Sequence, residues 1–414
     1  GLLIGGDAMN RTYVVPLILN LILFASAYYV GRRLIHPRWS GAVRFALWCA
    51  VFVMAFSLPV SFVFRRFWLP LGHVGVIQVL QYAMGLYSIV LFMTLARDIF
   101  LFLSGMVERS MARRQKRATQ FQSYASYELQ NKRRDFLRES SRWGALVLTT
   151  GVFGRAAVDA NDMQPTVVNV SVPIRNLPPA LEGVRIVQIS DVHIGQIRHE
   201  RRLVDAVVAT VNQLNADIIA LTGDLTDGSV AQLRDQVAPL AQMRANHGRF
   251  FVTGNHEYYT EKAENWLAEW ARLGFTTLQN QHAVLNINGA PLVVAGVHDL
   301  RASQRHATHV CSPQLALQGA PTGANTPTIL LAHHPDTAQL TEGLPIDLQL
   351  SGHTHAGQYF PGTWIVRWVH DFAQGLSANG RGWVYVNSGT GYWGPALRST
   401  DIVSEVTLLT LTRA

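Results

Sequence analysis

Cysteine is nearly absent: Cys49 and Cys311 are the only two in 414 residues. One lies in an apolar run and the other in a polar stretch, so a disulfide framework and a four-cysteine zinc site are both excluded. Charge is scarce too, at 15% of residues against roughly 25% in an average soluble domain. With 49% hydrophobic residues, the chain is not a disordered or acidic-tail protein, and a membrane segment is expected. Internal repeats and low-complexity tracts are missing. So are a G-x-S-x-G elbow and a P-loop, which excludes those routes to hydrolysis and nucleotide binding.

The net charge of +8 divides unevenly along the chain. Residues 1–160 carry 19 Lys and Arg against 7 Asp and Glu, whereas residues 161–414 carry 16 against 20. The basic charge therefore accompanies the apolar runs, where it signals membrane topology rather than a nucleic-acid surface, and no nucleic-acid partner is expected. Histidine is skewed the other way, with 13 of 15 after residue 160.

Three apolar runs, residues 13–30, 45–64 and 74–96, are followed by Arg32 and Arg33, by Arg65 and Arg66, and by Arg97 and Asp98. Each approaches the length needed to cross a hydrocarbon core of roughly 30 Å. Residues 99–107 are apolar but short, and either extend the third run or lie at the interface. Residues 1–107 thus form a transmembrane helical region of about three spans, and residues 108–142 a basic cytoplasmic segment. Residues 143–160 hold a fourth, shorter apolar run closed by Arg155. If it crosses, residues 161–414 lie outside the cytoplasm, which is the expected placement. Lys132-Arg133-Arg134-Asp135-Phe136-Leu137-Arg138 resembles a twin-arginine export signal, or is flanking positive charge. Residues 1–8 read as a remnant preceding Met9.

From residue 161 onward the pattern is α/β. Buried strand patterns at 184–190, 217–222 and 249–253 alternate with helical spacing at 201–214, 230–245 and 263–273, which implies a mainly parallel sheet covered by helices. Strands at 291–297, 328–332, 348–351, 383–387 and 405–412 have few helices between them and suggest a second, packed sheet. Five short motifs follow these strands: Asp191-Val192-His193, Gly223-Asp224, Gly254-Asn255-His256-Glu257, His333-His334-Pro335 and Gly352-His353-Thr354-His355. Loops at strand C-termini are where α/β sheets build sites. Together the motifs supply carboxylate, imidazole and amide ligands for a metal pair. Gly223, Gly254 and Gly352 are expected to turn the backbone sharply.

This ordered set resembles the calcineurin-like metallophosphoesterase superfamily over about residues 165–412, and its local context resembles the membrane-anchored bacterial branch. The resemblance implies two packed β-sheets flanked by helices, an αββα sandwich, behind the transmembrane region. It implies two divalent ions, Mn, Fe or Zn, one held by Asp191, His193, Asp224 and His355. The other is held by Asp224, Asn255, His353 and His333, with His334 as the competing choice. His256 then matches the non-ligand catalytic histidine, and Asp227 the carboxylate that orients it, although Asp227 also reads as a turn residue before Gly228. The implied reaction is phosphoric ester hydrolysis by a metal-activated hydroxide at a bacterial cytoplasmic membrane.

The alternatives are a nucleotide-lipid pyrophosphatase with a cytoplasmic domain, and a non-catalytic membrane sensor. Residues 359–372, rich in Trp, Val and Phe, either pack on the core or form an apolar lip that dips into the bilayer, which would favour a lipid-linked phosphate ester. His199, His298, His306 and His309 read as surface or supporting histidines. Tyr258 and Tyr259 read as packing residues at the pocket, and Arg398 as either a phosphate contact or a surface residue.

Overall fold

The structure, a computed structural model, describes residues 15–68, 74–118, 124–161, 164–195, 200–321 and 323–414. The remnant reading at residues 1–8 and His199 lie outside the described residues. The chain divides into two compact units between Arg155 and Ala156.

The first unit is helical: α1 is Val15–Leu34, α2 Gly41–Trp68, α3 Val74–Ala118 and α4 Tyr124–Asn161. Three stretches, Leu17–Leu34, Gly41–Ser61 and Gly75–Met111, are long and apolar enough to cross a membrane. Their inner faces meet through Ala27, Val30, Val51, Ala55, Tyr87 and Val90. Leu17, Leu21, Ile22, Val53 and Val79 point outward and are exposed, the arrangement expected where lipid replaces water as solvent. Asp98 is not left as a lone charge, since Arg33 Nε lies 2.7 Å away and Tyr29 Oη donates to it at 2.8 Å. Residues 99–107 extend α3 rather than forming an interfacial segment, because Arg109 to Lys116 are mostly good helix formers with no breaker among them. The fourth run, from Trp143, lies inside α4 and is not a candidate span among the described residues.

The second unit is a pair of packed sheets, as expected, but the strand expected at 405–412 joins the first sheet and not the second, because it pairs with residues 185–188 on one side and Thr166–Ile174 on the other. Its elements are β1 Thr166–Ile174, β2 Arg185–Ile189, α5 Glu200–Gln213, β3 Ile218–Leu221, α6 Val230–Val237, β4 Gly248–Phe251, α7 Ala263–Arg272, β5 Thr276–Thr277, β6 Gln281–Ile287, β7 Ala290–Gly296, α8 Pro313–Ala316, β8 Thr328–Leu331, β9 Leu348–Ser351, α9 Gly362–Val369, β10 Gly375–Asn379, β11 Gly382–Val386 and β12 Glu405–Arg413. One sheet has the order β1-β12-β2-β3-β4-β5 and the other β10-β11-β9-β8-β7-β6. Strands β2 to β5 run parallel, as do β7, β8, β9 and β11. The helix expected over 230–245 stops at Val237, and Pro239 carries the chain into a 3₁₀ turn instead.

Three layers of apolar contact hold the sandwich. Ile186, Ile218 and Phe250 of one sheet pack against Ile329, Leu331 and Leu350 of the other. Helices α5 and α7 cover the outer face of the first sheet, with Trp266 and Trp270 fully buried beside Phe251. Burial of an aromatic side chain of this size contributes about 1.5–3 kcal/mol. Val293, Leu330 and Ile346 line the outer face of the second sheet with Ala316 of α8. Between the sheets, Gln188 Nε2 donates to Thr222 Oγ1 and to the Ser351 carbonyl, both at 2.9 Å. That polar tie aligns the C-terminal ends of β2, β3 and β9.

Candidate metal centre

All five motifs emerge within four residues of a strand's last residue, after β2, β3, β4, β8 and β9. The loops are tight enough to force unusual backbone. Asp191, His193, Asp224, His353 and His355 have φ of 53°, 54°, 53°, 70° and 49°. Each left-handed non-glycine residue costs about 1–2 kcal/mol, and such strain concentrates at functional sites. Cross-loop hydrogen bonds hold it in place: Asp191 N donates to the Gly223 carbonyl at 3.0 Å and His193 N to the Asp224 carbonyl at 3.1 Å.

Two of the three glycines act differently from the expectation. Only Gly223 has a positive φ, at 86°. Gly254 and Gly352 are there for space: a Cβ on Gly254 would stand 2.1 Å from Asp224 Oδ1, and one on Gly352 would stand 2.1 Å from Asp191 Oδ2.

The side chains converge in two groups. In the first, His193 Nε2 and His355 Nε2 are 3.0 Å apart, and Asp191 Oδ1 lies 3.3 Å from the latter. In the second, Asp224 Oδ2 lies 3.2 Å from His333 Nε2, and His353 brings a ring nitrogen within 4.8 Å of both. Asp224 also groups with His193 and His256, so it stands between the two sets. Asn255 donates Nδ2 to Tyr259 Oη at 2.9 Å, while its Oδ1 is buried without a hydrogen-bond donor. A buried amide oxygen without a donor, on the residue before His256, whose N–H donates to Asp224 Oδ1, fits the donor set of a divalent metal pair. His333 Nδ1 lies 2.8 Å from the Thr222 carbonyl, which leaves Nε2 for the cluster. His334 is turned away: its Nδ1 accepts the Asp336 N–H, and its ring lies against that of His353.

Burial opposes charge on Asp191, Asp224 and Asp227, but the facing imidazoles outweigh it. His355 does so first for Asp191, His333 for Asp224 and His193 for Asp227, and all three carboxyls are held well below the usual range. His256 shows the mirror effect. Burial lowers it, yet Asp224 and then Asp227 push it up to about 9. Burial, followed by the neighbouring His333 and His334, holds His353 in the neutral form that a ligand needs.

Asp227 does more than the sequence suggested. Its Oδ1 is bonded to His256 Nδ1, and its Oδ2 lies 2.8 Å from His193 Nδ1. One carboxylate therefore fixes the ring of a candidate ligand and that of the candidate acid. Glu257 was quoted within its motif without a role. It is buried, and its carboxylate accepts from Asp224 N, Leu225 N and Gly254 N at 3.0, 2.8 and 2.8 Å. It ties the second and third loops together. Arg398 is neither surface nor free for a phosphate: it is buried and donates to the Gly389 and Gly391 carbonyls, bracing that loop. Tyr259 and Trp393 are partly exposed on either side of the His256 ring, with centroids 4.7 and 6.1 Å away. Trp393 lies in the stretch 387–395, to which the sequence assigns no side-chain role. His298, His306 and His309 gather instead near Glu264.

A family profile described as calcineurin-like phosphoesterase matches residues 184–357. A zebrafish (Danio rerio) "transmembrane protein with metallophosphoesterase domain" is 33% identical over 98% of this chain and 90% of its own length. The cattle (Bos taurus) protein of the same description is 39% identical over 60% of this chain and 58% of its own. A Bacillus subtilis protein described as the uncharacterized metallophosphoesterase YkuE is 28% identical over 67% of this chain and 97% of its own. Vertebrate and bacterial proteins both appear, so these likenesses do not single out a bacterial branch.

Proposed function

The chain belongs to the calcineurin-like phosphoesterase family, a family of phosphoester hydrolases, and we propose from that premise that it is a membrane-anchored dinuclear phosphoesterase acting on a phosphate ester held at the bilayer surface. Asp191, His193, Asp224 and His355 would hold one ion, and Asp224, Asn255, His333 and His353 the other. When bound, Mn, Fe or Zn in such a pair supplies Lewis acidity toward phosphoryl oxygens and water.

The chain's own residues do the rest. His256 keeps Nδ1 on Asp227, so its Nε2–H faces the pocket and can protonate the leaving oxygen. Asp227 positions that ring and the His193 ring together. Tyr259 and Trp393 form the rim against which the ester group lies.

The observation that carries the choice of substrate is α9. This helix does not pack into the core: Trp364, Ile365 and Val369 are exposed, and Trp368 is 94% exposed. It begins just beyond His355, and His370, immediately after it, brings its ring centroid to 6.3 Å from that of His353. Three candidate spans in the same chain keep a bilayer close at hand. An apolar helix face with an interleaved Arg367 suits the interface, where Trp and Arg are favoured. Changing Trp364 and Trp368 to Ser should cut hydrolysis of a vesicle-borne phosphate ester by about tenfold or more while sparing a soluble aryl phosphate, as expected if about 1.4 kcal/mol or more of interfacial binding is lost. Equal losses on both substrates would remove the lipid reading.

In the proposed topology, basic residues 31–44 and 108–142 are cytoplasmic and residues 143–153 lead the domain outward. The three candidate spans found among the described residues favour a second reading, a pyrophosphatase or diesterase for a nucleotide-linked lipid with its domain inside. A reporter fused after Ala414 that is active only outside the cytoplasm supports the first reading, and one active only inside supports the second.

A further inference from the structure

Glu264, on the first turn of α7, faces two histidines from the loop after β7. His306 Nε2 lies 2.9 Å and His309 Nε2 3.7 Å from the same oxygen, Glu264 Oε1. Three ligand atoms from three side chains thus fall within 4.8 Å of one another. Crowding of charge on a protein surface would account for an ion pair here, but it does not account for what lies behind the two rings. His309 Nδ1 is 3.0 Å from Tyr258 Oη, and His306 Nδ1 is 3.1 Å from Thr308 Oγ1. Each ring nitrogen that faces away from Glu264 therefore has an oxygen partner. A proton on each Nδ1 leaves both Nε2 lone pairs available beside the same carboxylate oxygen, with the two rings lying against each other at 3.8 Å between centroids. Such outer partners are what orient histidines that ligate metals. A third imidazole, His298, stacks on His309 with centroids 4.2 Å apart and fixes its plane.

We propose that Glu264, His306 and His309 form a separate metal site of the two-histidine, one-carboxylate type, taking a single borderline divalent ion such as Zn²⁺ with water completing the shell. None of the three belongs to the five phosphoesterase motifs. The site has a structural connection to the rim of the pocket. Tyr258 sits in the 3₁₀ turn that also carries His256, and Arg305, next to His306, lies over the Tyr259 ring at 5.0 Å. An ion here clamps the 299–309 loop to α7 and so holds Tyr259 against His256. The role is one of positioning, not catalysis.

Metal content per folded chain, measured on the full-length protein in detergent after chelation and reloading with Zn²⁺ alone, tests the site. The readout is the difference between wild type and the double variant His306→Gln, His309→Gln. The variant is expected to bind one equivalent fewer and to keep hydrolysing a soluble aryl phosphate, which shows that it is folded. Glu264→Gln is expected to show the same deficit at limiting Zn²⁺. Tyr258→Phe, which removes the partner of His309 Nδ1, should weaken that one equivalent about 10–100-fold. Because the readout is a difference, it does not depend on how many ions the central cluster holds, and Asp224→Asn should leave it unchanged. Equal metal content in wild type and in the folded double or Glu264 variant overturns the proposal.

Discussion

Asp227→Asn puts the central site under the most pressure, because one carboxylate serves two imidazoles that do different work. Oδ2 lies 2.8 Å from His193 Nδ1 and Oδ1 is bonded to His256 Nδ1. A carboxylate accepts at both ends, whereas a carboxamide of the same shape accepts at one and donates at the other. One ring must then move its proton to Nε2. If that ring is His193, it loses the lone pair that stands 3.0 Å from His355 Nε2, and metal binding weakens. If it is His256, the imidazolium loses half of its support.

That support has a size. The distance between an ordinary histidine at 6.5 and about 9 for His256 is worth roughly 3 kcal/mol in favour of the charged ring. Asp224 and Asp227 both supply it against burial, which stays in full, so removing one is expected to forfeit at least half of the net, about one pH unit or more. The sign follows from the role. A raised pKa keeps His256 protonated, hence able to donate, up to that pKa. The alkaline limb of kcat/KM should therefore move to lower pH in the variant. The rate on an alkyl phosphate ester should fall about 10²–10⁴-fold, the usual worth of general acid help, and less on an activated aryl phosphate. The assay is kcat/KM against pH for both substrates, with metal content measured on the same samples. A wild-type rate on the alkyl ester with an unmoved alkaline limb would refute the argument.

Other outcomes follow from the same geometry. Asp224→Asn should abolish turnover and lower metal content at the central cluster, because Asp224 groups with His333 and His353 and also with His193; near wild-type activity with full metal content would count against a shared ligand. His256→Ala should keep its metal and lose rate chiefly on poor leaving groups, and equal losses on aryl and alkyl esters would assign it another role. Gly254→Ala would press a methyl to 2.1 Å from Asp224 Oδ1, an overpacking expected to cost about 1–3 kcal/mol; a thermal melt and metal content report it, and an unchanged Tm would mean that the loop yields freely.

Much of this protein is written in its local sequence. The apolar runs with arginines at their ends mark candidate membrane helices without any knowledge of packing, since span length is set by the bilayer. Strands such as Arg185–Ile189 and Ile218–Leu221 are read easily because central parallel strands, buried on both faces, must be apolar throughout. The edge strands β1, β6 and β10 alternate or mix polar residues, and they went unread. The ordered motifs point to a candidate ligand set because carboxylate, imidazole and amide side chains recur at strand ends, which is itself a local property.

What depends on distance in the chain was decided only by the tertiary structure. Asp227 is matched by resemblance to a carboxylate that orients His256, but its second bond, to His193, exists only once folding places both rings on its two oxygens. The choice between His333 and His334 rests in the sequence on the family pattern alone, and the fold adds different surroundings, the Thr222 carbonyl behind the His333 ring and the Asp336 N–H on His334 Nδ1. Residues 362–369 have a pattern that suits a core helix equally well, and the layers of the sandwich leave that helix outside. Glu264 and His306 lie 42 positions apart in sequence, so no spacing rule could pair them. Local chemistry is carried by residue type, but coordination needs lone pairs from separate loops aimed at one point, and only the fold supplies that.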